Sequence, residues 1–164
     1  MEWTIRRFET ADAEDVSRLI IRTLREVNIR DYPAEYIENT VAEMTPDNIL
    51  RRAEWTHFYV ICDEEKIAGC GAIGPYWGKT DESSLFTIFV LPEYQKMGAG
   101  RRIMEKLEAD EFFLRAKRVE IPASVTGYPF YRKFGYEYKN GVKEPDEEGL
   151  IRLEKHRQQS AAER

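Results

Sequence analysis

The sequence predicts an α/β fold in which a mixed sheet carries helices on both faces. Two observations support this prediction. Apolar residues recur at helical spacing from residue 13 to 44, and the pattern then changes to short apolar and β-branched runs, with helical segments between the later ones. The chain has 164 residues, 42% of them hydrophobic, and no internal repeat or linker. We therefore expect one domain, residues 1–155, with a polar C-terminal tail at 156–164 that frays.

The first part of the chain is predicted to form an edge strand and then three helical segments. Residues 3–8 form the strand, and Asp12 is expected to cap the first helix. Residues 28–33 end that helix, and a second helix is expected from about Ala34 to Met44. The pair Thr45-Pro46 has the residue types of an N-cap and a first helical position, so it begins a third helix.

Three strands are predicted next, at residues 58–62, 67–73 and 83–90. The third is apolar enough to be central and buried on both faces. Within the second, Gly69–Gly74 matches a dinucleotide-binding fingerprint letter for letter. A true fingerprint follows a strand and opens a helix, whereas this one lies inside a strand and runs into Pro75. We interpret these glycines as positions where another element packs closely.

The remaining elements are a long helix and several short segments. The helix begins near Gly100, and its apolar stripe extends to Leu114. The short segments are a strand at 119–121, a helix at 129–134, and strands at 136–138 and 150–153.

Charge argues against a general nucleic-acid-binding protein. The formal net charge is −5 and the sequence pI is about 5.3, so no broad basic face is expected. Of the three basic pairs, Arg51-Arg52 and Lys117-Arg118 are predicted to be solvated, whereas Arg101-Arg102 is placed to meet phosphate.

Several features predict a cytoplasmic protein. If residues 63–66 form a hairpin turn, Cys62 faces Ile67 rather than Cys70, so we expect no disulfide and a reducing compartment. The start Met1-Glu2-Trp3 is soon followed by charges, which is unlike a signal peptide. The sequence has no apolar run of membrane-spanning length, so we expect no membrane span.

The most informative segment is Phe89–Arg102, in which a strand, a tight turn and a helix start follow one another. The run Phe89-Val90 leads to a proline and then to a polar turn containing Gly98 and Gly100. Unpaired N–H groups converge in a first helical turn, and the helix dipole adds partial positive charge there. Glycines let a ligand approach this backbone closely. The segment therefore predicts a phosphate-binding turn.

This segment resembles the central motif of the GCN5-related N-acetyltransferase (GNAT) superfamily, in which Gln/Arg-x-x-Gly-x-Gly/Ala follows a strand. The motif stands here as Gln95–Gly100. A second family signature, a small polar residue and then aromatic-Tyr-x-Lys-x-Gly-aromatic, is matched by Ser124–Tyr136. Many members have Asn and Ala where this chain has Ser124 and Gly127, which makes the hydrogen bond to the pantetheine arm less certain.

The resemblance implies a three-layer fold with a central mixed, largely antiparallel sheet of six to seven strands, flanked by about four helices. It also implies acetyl-coenzyme A (acetyl-CoA) as cosubstrate, with no metal. By resemblance, the Val90 position supplies an N–H to the developing oxyanion, and Tyr131 is the catalytic residue that serves the leaving thiolate. The residues implied to bind the cosubstrate are Phe89, Val90, Gln95, Lys96, Met97, Gly98, Ala99, Gly100, Arg101, Arg102, Ser124 and Tyr131.

The function implied is that of an N-acetyltransferase, an acyltransferase that moves acetyl from acetyl-CoA to a primary amine by direct attack in a ternary complex. A non-catalytic acyl-CoA-binding regulatory protein of the same fold is the alternative. The acceptor is a small-molecule amine or a peptide amine. Whether the protein forms a homodimer is left open. Candidates for a general base are Asp81, Glu82, Glu120 and His57, and none is preferred.

In relatives, two loops line the acceptor site, and they correspond here to residues 28–33 and 74–79. Tyr32, Tyr76 and Trp77 would then form an aromatic wall, with Asp31 attracting an ammonium group. An equally good interpretation is that these aromatic residues close the edge of the sheet.

Overall fold

The structure, a computed structural model, describes residues 2–157. Its strands are β1 Thr4–Arg7, β2 His57–Asp63, β3 Lys66–Pro75, β4 Glu82–Val90, β5 Arg118–Ser124, β6 Glu137–Tyr138 and β7 Leu150–His156. Its α-helices are α1 Ala13–Glu26, α2 Ala34–Glu43, α3 Pro46–Trp55, α4 Ala99–Glu108, α5 Glu111–Leu114 and α6 Tyr128–Arg132. The predicted α/β class is confirmed.

The seven strands form one open sheet in the order β1-β2-β3-β4-β5-β7-β6. The pair β4–β5 is parallel and the other neighbouring pairs are antiparallel, as the predicted mixed and largely antiparallel sheet requires. Cys62 pairs with Ile67 across the β2–β3 hairpin, and both cysteines are free and buried. The expected absence of a Cys62–Cys70 disulfide therefore matches the register.

Helices α1 and α4 both pack against the central strands β3 and β4. The glycines of β3 make the approach of α4 possible. A Cβ added at Gly71 would lie 2.8 Å from Cγ2 of Ile103, and one at Gly69 would lie 3.2 Å from Cδ1 of the same side chain. The segment that matches a dinucleotide-binding fingerprint is thus a surface against which α4 packs. Its last glycine, Gly74, leaves room for Trp55 instead.

The two halves of β4 have different surroundings. Ser83, Ser84 and Leu85 are buried, whereas the residues from Phe86 to Val90 are half-buried. Pairing with β5 covers Glu82, Ser83 and Ser84 and then stops. The prediction that the whole strand is buried on both faces is therefore wrong for its second half, because β5 diverges from β4 after Ser84.

Two predictions about helix ends are corrected. Asp12 is the N-cap residue of α1, as expected, but its side chain does not bond to the helix, because its carboxylate accepts bonds from the Arg6 guanidinium at 2.8 and 2.9 Å and from the Glu9 N–H at 2.8 Å. The apolar stripe that was expected to reach Leu114 belongs to two helices. The first, α4, ends at Glu108, and Asp110 caps α5 by accepting from the Phe112 N–H at 2.8 Å.

For each basic pair that was predicted to be solvated, the prediction is wrong for one of the two residues. Arg51 is exposed and Arg52 is half-buried, while Lys117 is exposed and Arg118 is buried. The Arg118 guanidinium binds three carboxylates, those of Glu82, Glu120 and Glu154. Such partners compensate the cost of removing a charge from water.

The C-terminal strand runs further than expected. The polar tail was predicted to begin at residue 156, but His156 is the last residue of β7, and Arg157 donates to three backbone carbonyls at 2.8 to 3.0 Å. The rest of that predicted tail, residues 158–164, lies outside the described residues, as does Met1. Among the helices of residues 2–157, none has the length and apolarity needed to cross a membrane.

Candidate active site

A cavity of about 940 Å³ opens where β4 and β5 diverge. The second half of β4 forms one wall, and α1, α2 and α3 contribute to another. The turn before α4, the end of β5 and helix α6 complete the lining. The cavity therefore joins the segment that was predicted to bind phosphate to a region lined by the N-terminal helices.

The turn before α4 presents a series of backbone donors. Within residues 2–157, the N–H groups of residues 96–101 have no hydrogen-bond partner. The first internal bond of this helix start is from Arg102 N–H to the Gly98 carbonyl, at 3.1 Å. Gln95, Lys96, Gly98, Gly100 and Arg101 line the cavity. Free amides at a helix N-terminus, with basic side chains nearby, are suited to bind an anion such as a pyrophosphate.

The two glycines of the turn act differently. Gly98 is the N-cap of α4 and has φ +91°, in the left-handed region, with open space where a Cβ would lie. A Cβ at Gly100 would lie 3.1 Å from the Phe130 ring. Gly98 therefore allows the turn geometry, while Gly100 lets α4 approach α6, which carries Tyr131.

Tyr131 is buried, and its side chain lines the cavity. Its hydroxyl has no hydrogen-bond partner within residues 2–157, in contrast to the buried Tyr136 hydroxyl, which donates to Glu108 at 2.8 Å. Burial raises the pKa of Tyr131 above its usual value, with a smaller contribution from Cys70. The phenol therefore stays protonated at neutral pH and is available as a donor.

The predicted cosubstrate residues fall into two groups. The first group lines the cavity and consists of Phe89, Val90, Gln95, Lys96, Gly98, Gly100, Arg101, Ser124 and Tyr131. Met97, Ala99 and Arg102 do not line it. The Gln95 side chain donates to the Val90 carbonyl at 3.1 Å, which fixes the end of the strand against the turn. Ser124 Oγ accepts from the Gly127 N–H at 2.9 Å, so its own proton is free to donate.

A sequence model of the acetyltransferase (GNAT) domain matches residues 54–138, just over half of the chain. The chain belongs to the GNAT acetyltransferase family. The matched region contains β4, the turn with the free amides, and Tyr131. No curated protein sequence matches the chain.

Solved structures of GNAT proteins share this fold. The PaiA N-acetyltransferase of Thermoplasma acidophilum, in complex with coenzyme A, superposes with a TM-score of 0.81 at 17% identity, over 96% of this chain and 100% of its own. A GNAT acetyltransferase of Brucella melitensis with acetyl-CoA gives 0.60 at 21%, over 83% of each chain. The ribosomal-protein-S18-alanine N-acetyltransferase of Escherichia coli gives 0.64 at 18%, over 93% and 91%.

The four candidates for a general base do not line this GNAT cavity. Asp81 pairs with Lys117 at 3.0 Å, and Glu82 and Glu120 bind Arg118. His57 Nδ1 lies 2.8 Å from Asp110, and its ring stacks on Phe112. The carboxylates that do line the cavity are those of Glu43 and Glu148, and both residues are exposed.

The predicted aromatic wall is separated into two places. Tyr32 lines the cavity, but Tyr76 and Trp77 do not. Tyr76 packs against the Arg118 guanidinium at 4.9 Å, and the Trp77 side chain is 86% exposed. The aromatic partner of Tyr32 is Tyr36, whose ring stacks on it with centroids 4.3 Å apart.

Sequence reasoning missed Tyr36, Arg52 and Thr87, which line the cavity as well. One signal was present for Arg52. It follows the buried Ile49 by three residues on α3, so the two share a helix face that points inward. For Thr87 no sequence signal exists, because its position depends on an irregularity in the β3–β4 pairing.

Proposed function

We propose that this protein transfers an acetyl group from acetyl-CoA to a primary amine by direct attack in a ternary complex. One observation carries the proposal: the same cavity is lined by Lys96, Gly98, Gly100 and Arg101 of the turn with free N–H groups, and by Tyr131, whose hydroxyl has no partner within residues 2–157. The first group suits a pyrophosphate and the second suits a leaving thiolate, as the two ends of one cosubstrate require.

The chain's own residues would perform three tasks. The amides of residues 96–101, with Lys96 and Arg101 beside them, would hold the pyrophosphate. The strand end at Phe89 and Val90 would align the pantetheine arm, and the Val90 N–H would stabilise charge on the carbonyl oxygen. Tyr131 would donate to the departing sulfur. A thioester is already activated, so positioning of the amine against it supplies much of the rate.

The arrangement fits this cosubstrate on structural grounds. A diphosphate needs several donors directed at one place, and the turn offers six consecutive amides without partners. The thiolate needs a protonated donor in a site shielded from water, and burial keeps the Tyr131 phenol protonated.

A non-catalytic acyl-CoA-binding regulatory protein remains the second candidate. One observation favours it, because the carboxylates lining the cavity are exposed and none is held beside Tyr131 by a hydrogen bond. Direct attack still works with an amine that enters uncharged, or that loses its proton to water.

A thiol-release assay separates the two functions. Acetyl-CoA is incubated with the full chain and a panel of amines, polyamines, amino acids and short peptides, and free thiol is measured over time. The transferase predicts release that depends on the amine. Coenzyme A binding by calorimetry without release from any amine would favour the regulatory protein, and absence of binding would overturn both.

A further inference from the structure

The guanidinium of Arg52 has a single hydrogen bond although it is half-buried. Its Nη1 donates to Oγ1 of Thr87 at 2.5 Å, and within residues 2–157 no carboxylate lies at salt-bridge distance from it. A guanidinium carries five N–H donors, so most of its hydrogen-bonding capacity is unused. Burial lowers the pKa of Arg52, and the nearby Glu43 carboxylate only partly opposes this effect.

Other arginines of the chain that are at least half-buried are compensated. Arg6 makes two bonds to Asp12, Arg118 binds three carboxylates, and Arg152 pairs with Asp146 at 2.8 Å. Arg157 donates to three backbone carbonyls. Buried charges are normally paired because their desolvation is costly. Arg52 is thus the exception in this group, and it faces a cavity rather than the core.

Arg52 lies in the part of the cavity away from the pyrophosphate turn, where the amine would bind; we call this part the acceptor half. Its partner Thr87 lies in the middle of β4, at a point where Thr87 and Ile88 together oppose Gly71. Thr87 has φ +56°, an unfavourable value for a β-branched residue. The pyrophosphate turn begins after the far end of this strand, and the cavity residues on α2 are Tyr36, Ile37 and their neighbours.

On one side of the acceptor half, hydrogen bonds from two tyrosines connect separate segments of the chain. The Tyr32 hydroxyl donates to the Gly149 carbonyl at 2.6 Å and accepts from the Val125 N–H at 2.8 Å. Tyr36 donates to the Glu148 carbonyl at 2.6 Å. These bonds join the start of α2 to the loop before β7, so an extended peptide finds no continuous groove between them. A small acceptor suits this enclosure better than a protein chain.

We infer that Arg52 binds a carboxylate of the acceptor, so that the acceptor is a small molecule bearing both a primary amine and a carboxylate, such as an amino acid. This inference rests on the proposed function, and of the two expected acceptors it selects the small-molecule amine. A carboxylate would supply the missing counter-charge and accept two parallel N–H bonds from the guanidinium fork.

The test compares matched acceptors in the thiol-release assay with the full chain. The standard L-amino acids, their carboxamides and their decarboxylated amines are assayed with acetyl-CoA. We expect acids to exceed their matched carboxamides and amines in kcat/KM by about tenfold or more, the usual effect of one charge-assisted pair. Amines or carboxamides equal to the acids would overturn the inference while leaving the proposed transferase intact.

Variants separate carboxylate binding from a structural role. Arg52→Gln should raise KM for the acid about tenfold, leave kcat/KM for its carboxamide nearly unchanged, and leave coenzyme A affinity unchanged. Arg52→Lys should recover part of the loss. The matched control is Arg51→Gln, since Arg51 is exposed and bonds only to Asn48 on its own helix. Equal loss with acid and carboxamide would mean that Arg52 merely supports the fold around Thr87.

A binding measurement keeps the inference testable if no acceptor is acetylated. Calorimetric titration of the same amino acids and carboxamides into the coenzyme A complex should show binding of acids alone, lost in Arg52→Gln. If no acid binds and no acid is acetylated, the inference is overturned. If acids bind without thiol release, the carboxylate site stands and the transferase proposal fails.

Discussion

In its first part, Glu82–Ser84, β4 pairs with β5 and the polar groups around it are bonded, whereas its second half faces a cavity in which Arg52 and Tyr131 have unused hydrogen-bonding capacity within residues 2–157. Around the first part, the Ser83 hydroxyl donates to a carbonyl at 2.7 Å and Arg118 binds three carboxylates. Around the second half, Arg52 has one bond, and the amides of residues 96–101 have none within the described chain.

Under the proposed function, one strand contributes to stability at one end and to ligand binding at the other. Backbone amides at a helix start and a guanidinium with unused donors are both available to an anionic ligand, and both are found beside this cavity. The divergence of β5 from β4 opens the space that these groups face. Four changes test the comparison, beginning with the largest expected effect.

The first change removes the ion pairs of Arg118 beside the first part of β4. Arg118→Leu removes the nearest cation of buried Glu120 but leaves it Lys139 at 2.7 Å, so we expect the free energy of unfolding to fall by about 2 kcal/mol. Urea titration followed by tryptophan fluorescence measures this. The control is Arg22→Leu, which removes exposed ion pairs to Glu26 and Glu93 and should change stability little. Equal midpoints for the two variants would show that the Arg118 cluster does not stabilise the fold.

The second change removes the proposed donor from the open end. Tyr131→Phe should lower kcat about a hundredfold, the typical effect of losing a general acid, and leave coenzyme A affinity nearly unchanged. Steady-state thiol release and calorimetry provide the two readouts. Tyr128→Phe, on the same helix but not in the cavity lining, is the matched control. Wild-type turnover in Tyr131→Phe would remove its assigned role.

The third change alters the turn that presents the free amides. Gly98→Ala forces an L residue into the left-handed region, at a cost of about 1 kcal/mol. Gly141→Ala imposes the same kind of strain, since Gly141 also has positive φ and open space around a Cβ, but it lies outside the cavity lining. We expect both variants to lose similar stability, and only Gly98→Ala to bind coenzyme A about tenfold more weakly. Equal affinity in calorimetry would refute the placement of the pyrophosphate.

The smallest effect concerns pH. The Lys79 hydrogen bond lowers the pKa of Glu82. At Glu154 burial raises the pKa, but the hydrogen bond and charge of Arg118, with a smaller contribution from His156, together lower it below its usual value. Both groups start from a usual value of 4.5, so their contribution to stability is present above it. As pH falls through the lowered folded-state values, the unfolded chain binds protons first and this contribution is lost.

Urea midpoints measured from neutral to acidic pH should therefore fall less steeply in Arg118→Leu than in the wild-type protein. A parallel fall in both would mean that the acid sensitivity comes from other carboxylates. Arg52 keeps its charge throughout this range, so Arg52→Gln should follow the wild-type pH profile of stability.

The turn before α4, with its free amides, was predictable because its determinants are local. A strand, a proline and a glycine followed by a helical pattern specify a helix start, and an N-terminal turn has free amides wherever it occurs. The structure adds that Gly98 takes positive φ and that Gly100 admits Phe130. The family motif likewise indicated Tyr131, although only the structure shows its hydroxyl bordering the cavity.

The acceptor half was not predictable in the same way. Arg52 and Arg118 are both second members of basic pairs and were expected to be solvated, yet one lines a cavity with a single bond and the other is buried among three carboxylates. Tyr76 and Trp77 were expected beside Tyr32 because all three are aromatic, yet only Tyr32 of the three lines the cavity. In each case the environment is made by residues distant in the chain.

By itself, the sequence determined the order of elements, the β2–β3 register near its turn, and the glycine turn that begins α4, because each depends on residue types within a few positions of one another. Tertiary structure decided where β5 leaves β4, which charges are compensated and which side chains border the cavity. Those outcomes depend on which distant groups come within bonding distance, and local periodicity carries no information about that.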